Sequence, residues 1–149
     1  ECDWSFRRVL FRSVVPVDPS EVDFAKPALT AAAGLAGQTS GEIRLVAVMP
    51  PMNGYVTELL PADYEVGLEQ ETEARVRALA VEAGLDPAKT TVRLRSGSVY
   101  HEVIDEATDW GADAIVVCSH RPQMSTYLLG SNAAKIVRHA PCSVLVLRS

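Results

Sequence analysis

The stretch AIVVCSHRPQMSTYLLGSNAAKIVRHAPCSVLVL, residues 114–147, decides the fold that the sequence predicts. It holds an apolar run at 114–118, a polar loop, a helix from about Ser131 to Arg138, and a second apolar run at 143–147. Continuous apolar runs of this length are typical of strands that are covered on both faces in a parallel sheet. A helix between two such runs is the crossover that a parallel pair of strands requires. The chain therefore ends in a predicted β-α-β unit.

The same alternation continues upstream. Apolar strands are predicted at 14–17 and 43–48, and a less buried strand, with alternating Arg side chains, around 92–95. Helices are predicted from about 20 to 37, from the sixties to Gly84, and from about 98 to 111, whereas residues 49–56 are predicted to form a loop. Pro27 falls near the start of the first helix, so an irregular first turn is expected. This order predicts an α/β fold, a single doubly wound, five-stranded parallel sheet with helices on both faces.

Length, composition and charge bound the function. At 149 residues the chain is expected to form one domain. A net charge of −5 argues against a general nucleic-acid binder, because phosphate neutralisation needs clustered Lys and Arg. No apolar run approaches the ~18 residues of a membrane span, so membrane insertion is not expected. The cysteines at 2, 118 and 142 show no paired spacing, which fits a reducing, cytoplasmic compartment.

The first 13 residues, ECDWSFRRVLFRS, fit poorly with the rest of the chain. Charged residues such as Asp3, Arg7 and Arg8 interrupt any signal-peptide core. The segment has the character of a translated adaptor. We expect residues 1–13 to be a non-native leader and residues 14–149 to form the domain.

Candidate binding residues gather where predicted strands end. Asp18, the loop after Val48 and the loop after Cys118 all follow carboxyl ends of strands. In open parallel sheets, ligands bind beyond these ends, at the point where the strand order reverses. Asp18 has a simpler alternative role as a turn residue. Cys118 is interpreted as a small apolar residue in preference to a redox thiol.

A second group of candidates surrounds the start of the last helix. Gly130, Ser131 and Asn132 open that helix, whose unpaired N–H groups and dipole favour an anion. Upstream, Ser119, His120 and Arg121 leave the preceding strand, and Arg121 would supply a positive charge. From the residues alone, a turn glycine followed by an N-cap serine is the favoured interpretation of Gly130 and Ser131.

The sequence identifies no catalytic or metal-binding residue. His120 has no identifiable partners for catalysis, and no P-loop or G-x-G-x-x-G fingerprint is present. His101, Glu102, Asp105 and Glu106 crowd one helix, but their spacing is that of a solvated acidic face more often than of a metal site. We therefore expect a binding protein, with at most slow chemistry.

Several motifs resemble the universal stress protein family. They are Val15-Pro16-Val17-Asp18, Ser119-His120, Leu128-Leu129-Gly130-Ser131, His139-Ala140-Pro141-Cys142 and Val144-Leu145-Val146. The resemblance runs from about residue 14 to 148, and the closing thirty residues are highly specific. It implies a Rossmann-like fold of the adenine-nucleotide alpha-hydrolase type and a role in the stress response.

The resemblance also implies a ligand, ATP with Mg²⁺, or else AMP or another adenine nucleotide. By position, adenine would lie against Pro16, Val17, Asp18 and Val48. The ribose and phosphates would lie against Cys118, Ser119, His120, Arg121, Gly130, Ser131 and Asn132.

The phosphate loop departs from the family's G-x-x-G-(nine residues)-G-[ST] pattern. Cys118 and Arg121 stand where the first two glycines are expected, Pro122 follows, and the loop is one residue shorter. A side chain at Cys118 would crowd a ribose, and Pro122 lacks a backbone donor. The Ser-His-Arg-Pro sequence nevertheless resembles a branch of the family whose members are associated with ATP. ATP binding is therefore expected. The alternatives are an interaction protein that has lost its nucleotide, and a weak ATPase or self-phosphorylating protein with Ser131 or His120 as acceptor.

The last predicted strand would lie at a sheet edge, where an uncovered apolar strand is an aggregation hazard. In the family this strand pairs across a two-fold axis. The resemblance therefore implies a homodimer through Val144, Leu145, Val146 and Leu147, together with an unidentified regulatory protein partner.

Overall fold

A computed structural model describes residues 10–119 and 130–148. The described residues contain five parallel strands in the order β3-β2-β1-β4-β5. The strands are β1 (Arg12–Val17), β2 (Glu42–Met49), β3 (Thr90–Ser96), β4 (Ala114–Ser119) and β5 (Ser143–Arg148). The predicted doubly wound parallel sheet is confirmed. β1 begins two residues before the predicted position, so Arg12 and Ser13 belong to the sheet.

Five α-helices connect and cover these strands: α1 (Lys26–Thr39), α2 (Gly54–Leu59), α3 (Tyr64–Glu82), α4 (Val99–Trp110) and α5 (Ser131–His139). A 3₁₀ turn at Val22–Ala25 precedes α1, and Pro27 lies in the first turn of that helix. The predicted irregular entry is thereby confirmed. None of the described helices is long and apolar enough to cross a membrane.

Helix α2 was not predicted, and the loop expected at residues 49–56 is wrong in its second half. Asn53 lies at the helix N-cap, and its carbonyl accepts hydrogen bonds from the Val56 and Thr57 amides. The helix has six residues and buries none of them. Since sequence periodicity reports burial, a helix without a buried face leaves no periodic signal.

The sheet separates two apolar cores. On one face, α1 and α3 bring Leu29, Val76 and Leu79 against Val15 and Leu45. On the other face, α4 and α5 bring Val103 and Ile136 against Val14, Val46 and Ile115. Adjacent residues of β1 and β2 thus enter opposite cores, as the two-residue repeat of a strand requires. This double cover explains why both strands have continuous apolar sequences.

The centre of the sheet opens between β1 and β4. These strands pair only at Ser13 with Ala114 and at Val14 with Ile115. By contrast, β1 pairs with β2 from Arg12 to Val17, and β4 pairs with β5 along its whole length. The carboxyl-terminal halves of β1 and β4 therefore separate, and this separation leaves room for a ligand at the point where the strand order reverses.

A buried ion-pair network fastens α4 to β2 and β3. Glu106 accepts hydrogen bonds from Arg44 at 2.9 Å and from Arg95 at 2.6 Å, and its side chain is 7% exposed. Arg95 also donates to Glu102 at 2.6 Å, and the Arg44 guanidinium lies 4.3 Å from the centre of the Trp110 ring. The solvated acidic face expected on this helix is therefore wrong for Glu106. Within the described residues, no group of three or more His, Cys, Asp or Glu could hold a metal ion.

The network makes stability depend on pH. Burial raises the pKa of Glu106, but the hydrogen bonds and charges of Arg95 and Arg44 outweigh burial and hold this pKa below its ordinary value. A carboxyl group whose pKa is lowered by folding stabilises the protein above its unfolded-state pKa of about 4.3. That contribution is lost progressively as the pH falls from there through the folded-state pKa.

We expect Glu106→Gln to lower the free energy of unfolding near neutral pH by about 3–5 kcal/mol, because it leaves the charges of Arg44 and Arg95 unpaired. Urea denaturation measures this loss, which should shrink as the pH falls below about 4. The control is Asp105→Asn, an exposed carboxyl on the same helix, with an expected change within about 0.5 kcal/mol. Equal losses in the two variants would contradict a structural role for the network.

Candidate functional site

A cavity of about 810 Å³ opens at the carboxyl ends of β1, β2 and β4. Its walls come from the turn after β1, the ends of β2 and β4, the connection from β3 to α4, and the first turn of α5. The predicted residues that line it are Pro16, Val17, Asp18, Val48, Cys118, Gly130, Ser131 and Asn132. Positions separated by up to 116 residues in the chain (Pro16 and Asn132) thus converge at one site.

Three predicted residues remain. Ser119 is described, does not line the cavity and is 1% exposed. His120 and Arg121 fall outside the described residues, so their predicted contacts stay predictions.

The cavity also includes residues that sequence reasoning missed. Pro50 and Gly97 follow the ends of β2 and β3, and Val99 begins α4. The rule that ligands collect at carboxyl ends would have found Pro50 and Gly97 if it had been applied to β2 and β3 as fully as to β1 and β4. Phe24 enters from the 3₁₀ turn, and no sequence pattern pointed to it.

Gly97 shapes one wall through its backbone. Its φ of +142° lies in a region that favours glycine, and its N–H donates to the Met49 carbonyl at 3.1 Å. A Cβ at this position would lie 2.8 Å from a carboxylate oxygen of Glu102. Glycine therefore lets the backbone pass close to α4 at the edge of the cavity.

Asp18 has a turn role and also lines the cavity. One of its carboxylate oxygens accepts hydrogen bonds from the Ser20 amide at 2.8 Å and from the Ser20 hydroxyl at 2.6 Å. These contacts form an Asx-type turn. They also show that Ser20 serves this turn and does not cap a helix with its side chain. No described residue donates to the second oxygen of Asp18, so that oxygen remains available as an acceptor.

Ser119 fixes the position of α5 relative to β4. Its hydroxyl oxygen accepts a hydrogen bond from the Gly130 N–H at 3.1 Å. The Gly130 amide therefore has a protein partner, and no described residue accepts from the Ser131 and Asn132 amides, which follow in the first turn. An anion at this helix start would be held by those two amides and by the helix dipole.

Cys118 places its side chain at the boundary between cavity and core. Burial raises the pKa of its thiol, and a hydrogen bond with the Ala28 backbone opposes this rise only in part. The thiol is therefore protonated near neutral pH. This favours the interpretation of Cys118 as a small apolar residue over that of a reactive thiolate.

Charge is distributed unevenly around the cavity. Asp18 and Glu21 lie on the β1 side, whereas the α5 N-terminus supplies partial positive charge on the other side. Among the described lining residues there is no Lys or Arg. The site thus combines an apolar floor, acceptors at one end and backbone donors at the other.

Comparison with known proteins identifies the fold and the family. The universal stress protein family profile matches residues 11–148. The chain belongs to this family. It is 37% identical over 138 residues to universal stress protein G of Shigella flexneri, covering 91% of this chain and 96% of that protein. The resemblance seen in the sequence is confirmed, while its assignment to a Ser-His-Arg-Pro branch stays a prediction.

Solved structures of this family share the fold. Universal stress protein UspA from Lactobacillus plantarum superposes with a TM-score of 0.74 at 20% identity, covering 95% of this chain and all of that one. A universal stress protein from Archaeoglobus fulgidus, solved in complex with dAMP, has a TM-score of 0.65 at 20% identity, covering 93% of this chain and 98% of that one. At these identities the likeness establishes the Rossmann-like α/β architecture.

The bond between Ser119 and Gly130 can be tested in this protein. We expect Ser119→Ala to destabilise the protein by about 1 kcal/mol, because it removes the acceptor for a helix-terminal amide. Hydrogen exchange should also accelerate at the Gly130 amide, which loses its acceptor. The control Ser96→Ala, at an exposed position at the end of β3, should change neither quantity measurably. An unchanged exchange rate at the Gly130 amide in Ser119→Ala would rule out this role of Ser119.

Proposed function

We propose that this universal stress protein binds an adenine nucleotide, ATP with its Mg²⁺, in the cavity between β1 and β4. In this proposal it acts in the cytoplasm as a dimeric regulatory module of the stress response. The observation that carries the proposal is the arrangement of the cavity, which places an apolar floor beside the free amides of a helix start. The complex of the Archaeoglobus fulgidus relative with dAMP supports an adenine nucleotide as the ligand class.

The cavity fits such a ligand in size and in character. Its volume of about 810 Å³ lies within the range of ~300–1,000 Å³ that is usual for small-molecule sites. Val17, Val46 and Val48 form a floor whose side chains are at most 6% exposed. Such a floor suits the flat, apolar face of a base, and the second oxygen of Asp18 would accept from an exocyclic amino group.

The phosphates would lie at the opposite end, on α5. The Ser131 and Asn132 amides and the Ser131 hydroxyl are available donors there, and the nine-residue helix adds its dipole. Mg²⁺ would bind together with the phosphates and neutralise part of their charge. Arg121 remains the predicted cation at this end.

Regulation would follow from differential binding. A partner that prefers the nucleotide-bound state shifts the protein toward that state, and nucleotide raises the affinity of the partner by the same factor. The place where such a change would arise is the junction of β1, β4 and α5, since all three line the cavity.

The decisive experiment is calorimetric titration with ATP and Mg²⁺ of the parent protein, freed of co-purified nucleotide, and of Gly130→Asp and Gly130→Asn. Gly130 has φ −56° and ψ 151°, so either side chain fits the backbone, and both are good N-cap residues. The Asp variant places a negative charge against the phosphates, whereas the Asn variant adds the same bulk without charge. We expect the Asp variant to bind at least tenfold more weakly than the Asn variant, about 1.4 kcal/mol.

Two results would redirect the proposal. Absence of both heat and a thermal shift in the parent protein would indicate that the altered phosphate loop, with Cys118 and Pro122, no longer holds a nucleotide, which leaves an interaction protein of the same fold. Retention of γ-phosphate label on the protein, or its release as phosphate, would indicate the self-phosphorylating or weak ATPase activity.

The proposed dimer uses the exposed edge of β5. This strand ends the sheet and is paired with β4 on one side only among the described residues. Leu145 is 40% exposed, and Val144 and Val146 are only partly buried. A second copy packed along this strand would cover both the open backbone edge and the apolar side chains.

We expect Leu145→Glu to weaken dimerisation by about a hundredfold or more, because the two-fold axis brings two carboxylates together in an apolar contact. Sedimentation velocity over a range of protein concentrations measures this change. Val81→Glu is the matched control, since Val81 is 73% exposed on α3, which packs on the opposite sheet edge, against β3. A dimer that resists Leu145→Glu would have to use another surface.

A further inference from the structure

The connection between β2 and α3 exposes an unusual concentration of apolar side chains. We call residues 54–66, which comprise α2 and the start of α3, the α2 tip. Its exposed apolar side chains are Tyr55 at 86%, Val56 at 45%, Leu59 at 85%, Tyr64 at 44% and Val66 at 54%. Elsewhere among the described residues, large apolar side chains are exposed only singly, at Leu10, Val81, Val137 and Leu145. Isolated exposed apolar residues are ordinary, whereas a group of them marks an interaction site.

The fold itself does not use these side chains. Helix α2 buries no residue, and the first buried residue of α3 is Thr72, more than two turns into the helix. The tip follows the carboxyl end of β2 along the chain. Its apolar residues stabilise neither of the two cores.

The same segment is strongly acidic and lacks compensating cations. The sequence contains no Lys or Arg between Arg44 and Arg75. Glu58, Asp63 and Glu65 are exposed, and no described residue forms an ion pair with them. By contrast, Glu71 and Glu73, farther along α3, pair with Arg75 and Arg77 at 2.9 and 2.6 Å. The tip thus presents apolar side chains together with unpaired negative charge.

This combination selects among possible partners. Nucleic acids and anionic membranes would be repelled by the carboxylates. A second copy that used the same surface would oppose like charges across a two-fold axis. A polypeptide segment that carries Lys or Arg between apolar residues would instead cover the apolar side chains and pair with the carboxylates.

We propose that the α2 tip is a docking surface for a basic, apolar segment of a partner protein. The partner's apolar side chains cover Tyr55 and Leu59, and its cations pair with Glu58 and Glu65. None of the tip residues lines the cavity, so this docking does not depend on nucleotide. It can be tested on the nucleotide-free protein whether or not ATP binds.

The probe is a fluorescein-labelled synthetic helical peptide with Leu on one face and Lys on the other. Two matched peptides serve as comparisons, one with Glu in place of Lys and one with Ser in place of Leu. Fluorescence anisotropy with the full chain should show binding of the Leu/Lys peptide, weakened by added salt, and at least tenfold weaker binding of the other two. Failure of the Leu/Lys peptide to bind below about 1 mM, or equal binding of the Leu/Glu peptide, would overturn the proposal.

Variants locate the binding. Two double variants are informative, Tyr55→Ser with Leu59→Ser and Glu58→Gln with Glu65→Gln. We expect each to lower the affinity for the Leu/Lys peptide at least about tenfold. The control is Val81→Ser with Asp105→Asn, which removes an exposed apolar group and a carboxyl outside the tip and should leave the affinity unchanged. Because the altered tip residues are all exposed, the melting temperature should be unchanged in every variant. Equal weakening by the control would overturn the assignment. So would self-association of the parent protein that disappears in the Tyr55→Ser, Leu59→Ser variant, because a second copy of this chain would then be the occupant.

Discussion

The early separation of β1 from β4 is the constraint on which the rest of the structure depends. Right-handed crossovers that advance in opposite directions along the sheet must place their helices on opposite faces. α1 and α3 accordingly cover one face, and α4 and α5 the other. β1 and β4 pair only near their starts, so the gap between them stays open at the carboxyl ends, although α1 contacts both strands on one face. The cavity, its apolar floor and the approach of α5 all result from this arrangement.

Polar contacts hold the walls of this opening in place. On the β4 side, the hydrogen bond from the Gly130 amide to Ser119 fixes the start of α5. On the β3 side, Arg95 holds Glu102 and Glu106 of α4, and Glu102 in turn lies close against Gly97. The buried ion pairs are thereby linked to the cavity wall through the contact between Glu102 and Gly97. Buried pairs are weak evidence for stability as such, but they restrict geometry, since removal of either partner leaves a charge uncompensated.

The sequence predicted the elements that bury an apolar face and the residues at strand ends, because both leave local patterns. Strands and helices with a buried face repeat at two or at about 3.6 residues, and eight of the predicted binding residues line the cavity. Glu106 was misread because its partner Arg44 is 62 residues away, a contact that local spacing does not record. Phe24 was missed for the same reason. It lies in a 3₁₀ turn, and only the tertiary fold brings it to the cavity. Helix α2 was missed because it has no buried face at all.

That last failure has a physical meaning. Where an element is packed in a core, its apolar residues are explained by the fold, and their spacing reveals the element. In the α2 tip the apolar residues are present without a core to explain them, and their neighbours are carboxylates without cations. Replacing Tyr55 or Leu59 by a polar residue would leave both cores intact, so the fold does not require either side chain. Their presence beside unpaired acids is better accounted for by a complementary surface outside this chain. Pro50, which lines the cavity, lies only four residues before the tip, but no tip residue lines the cavity, so the two surfaces are adjacent along the chain and separate in their contacts.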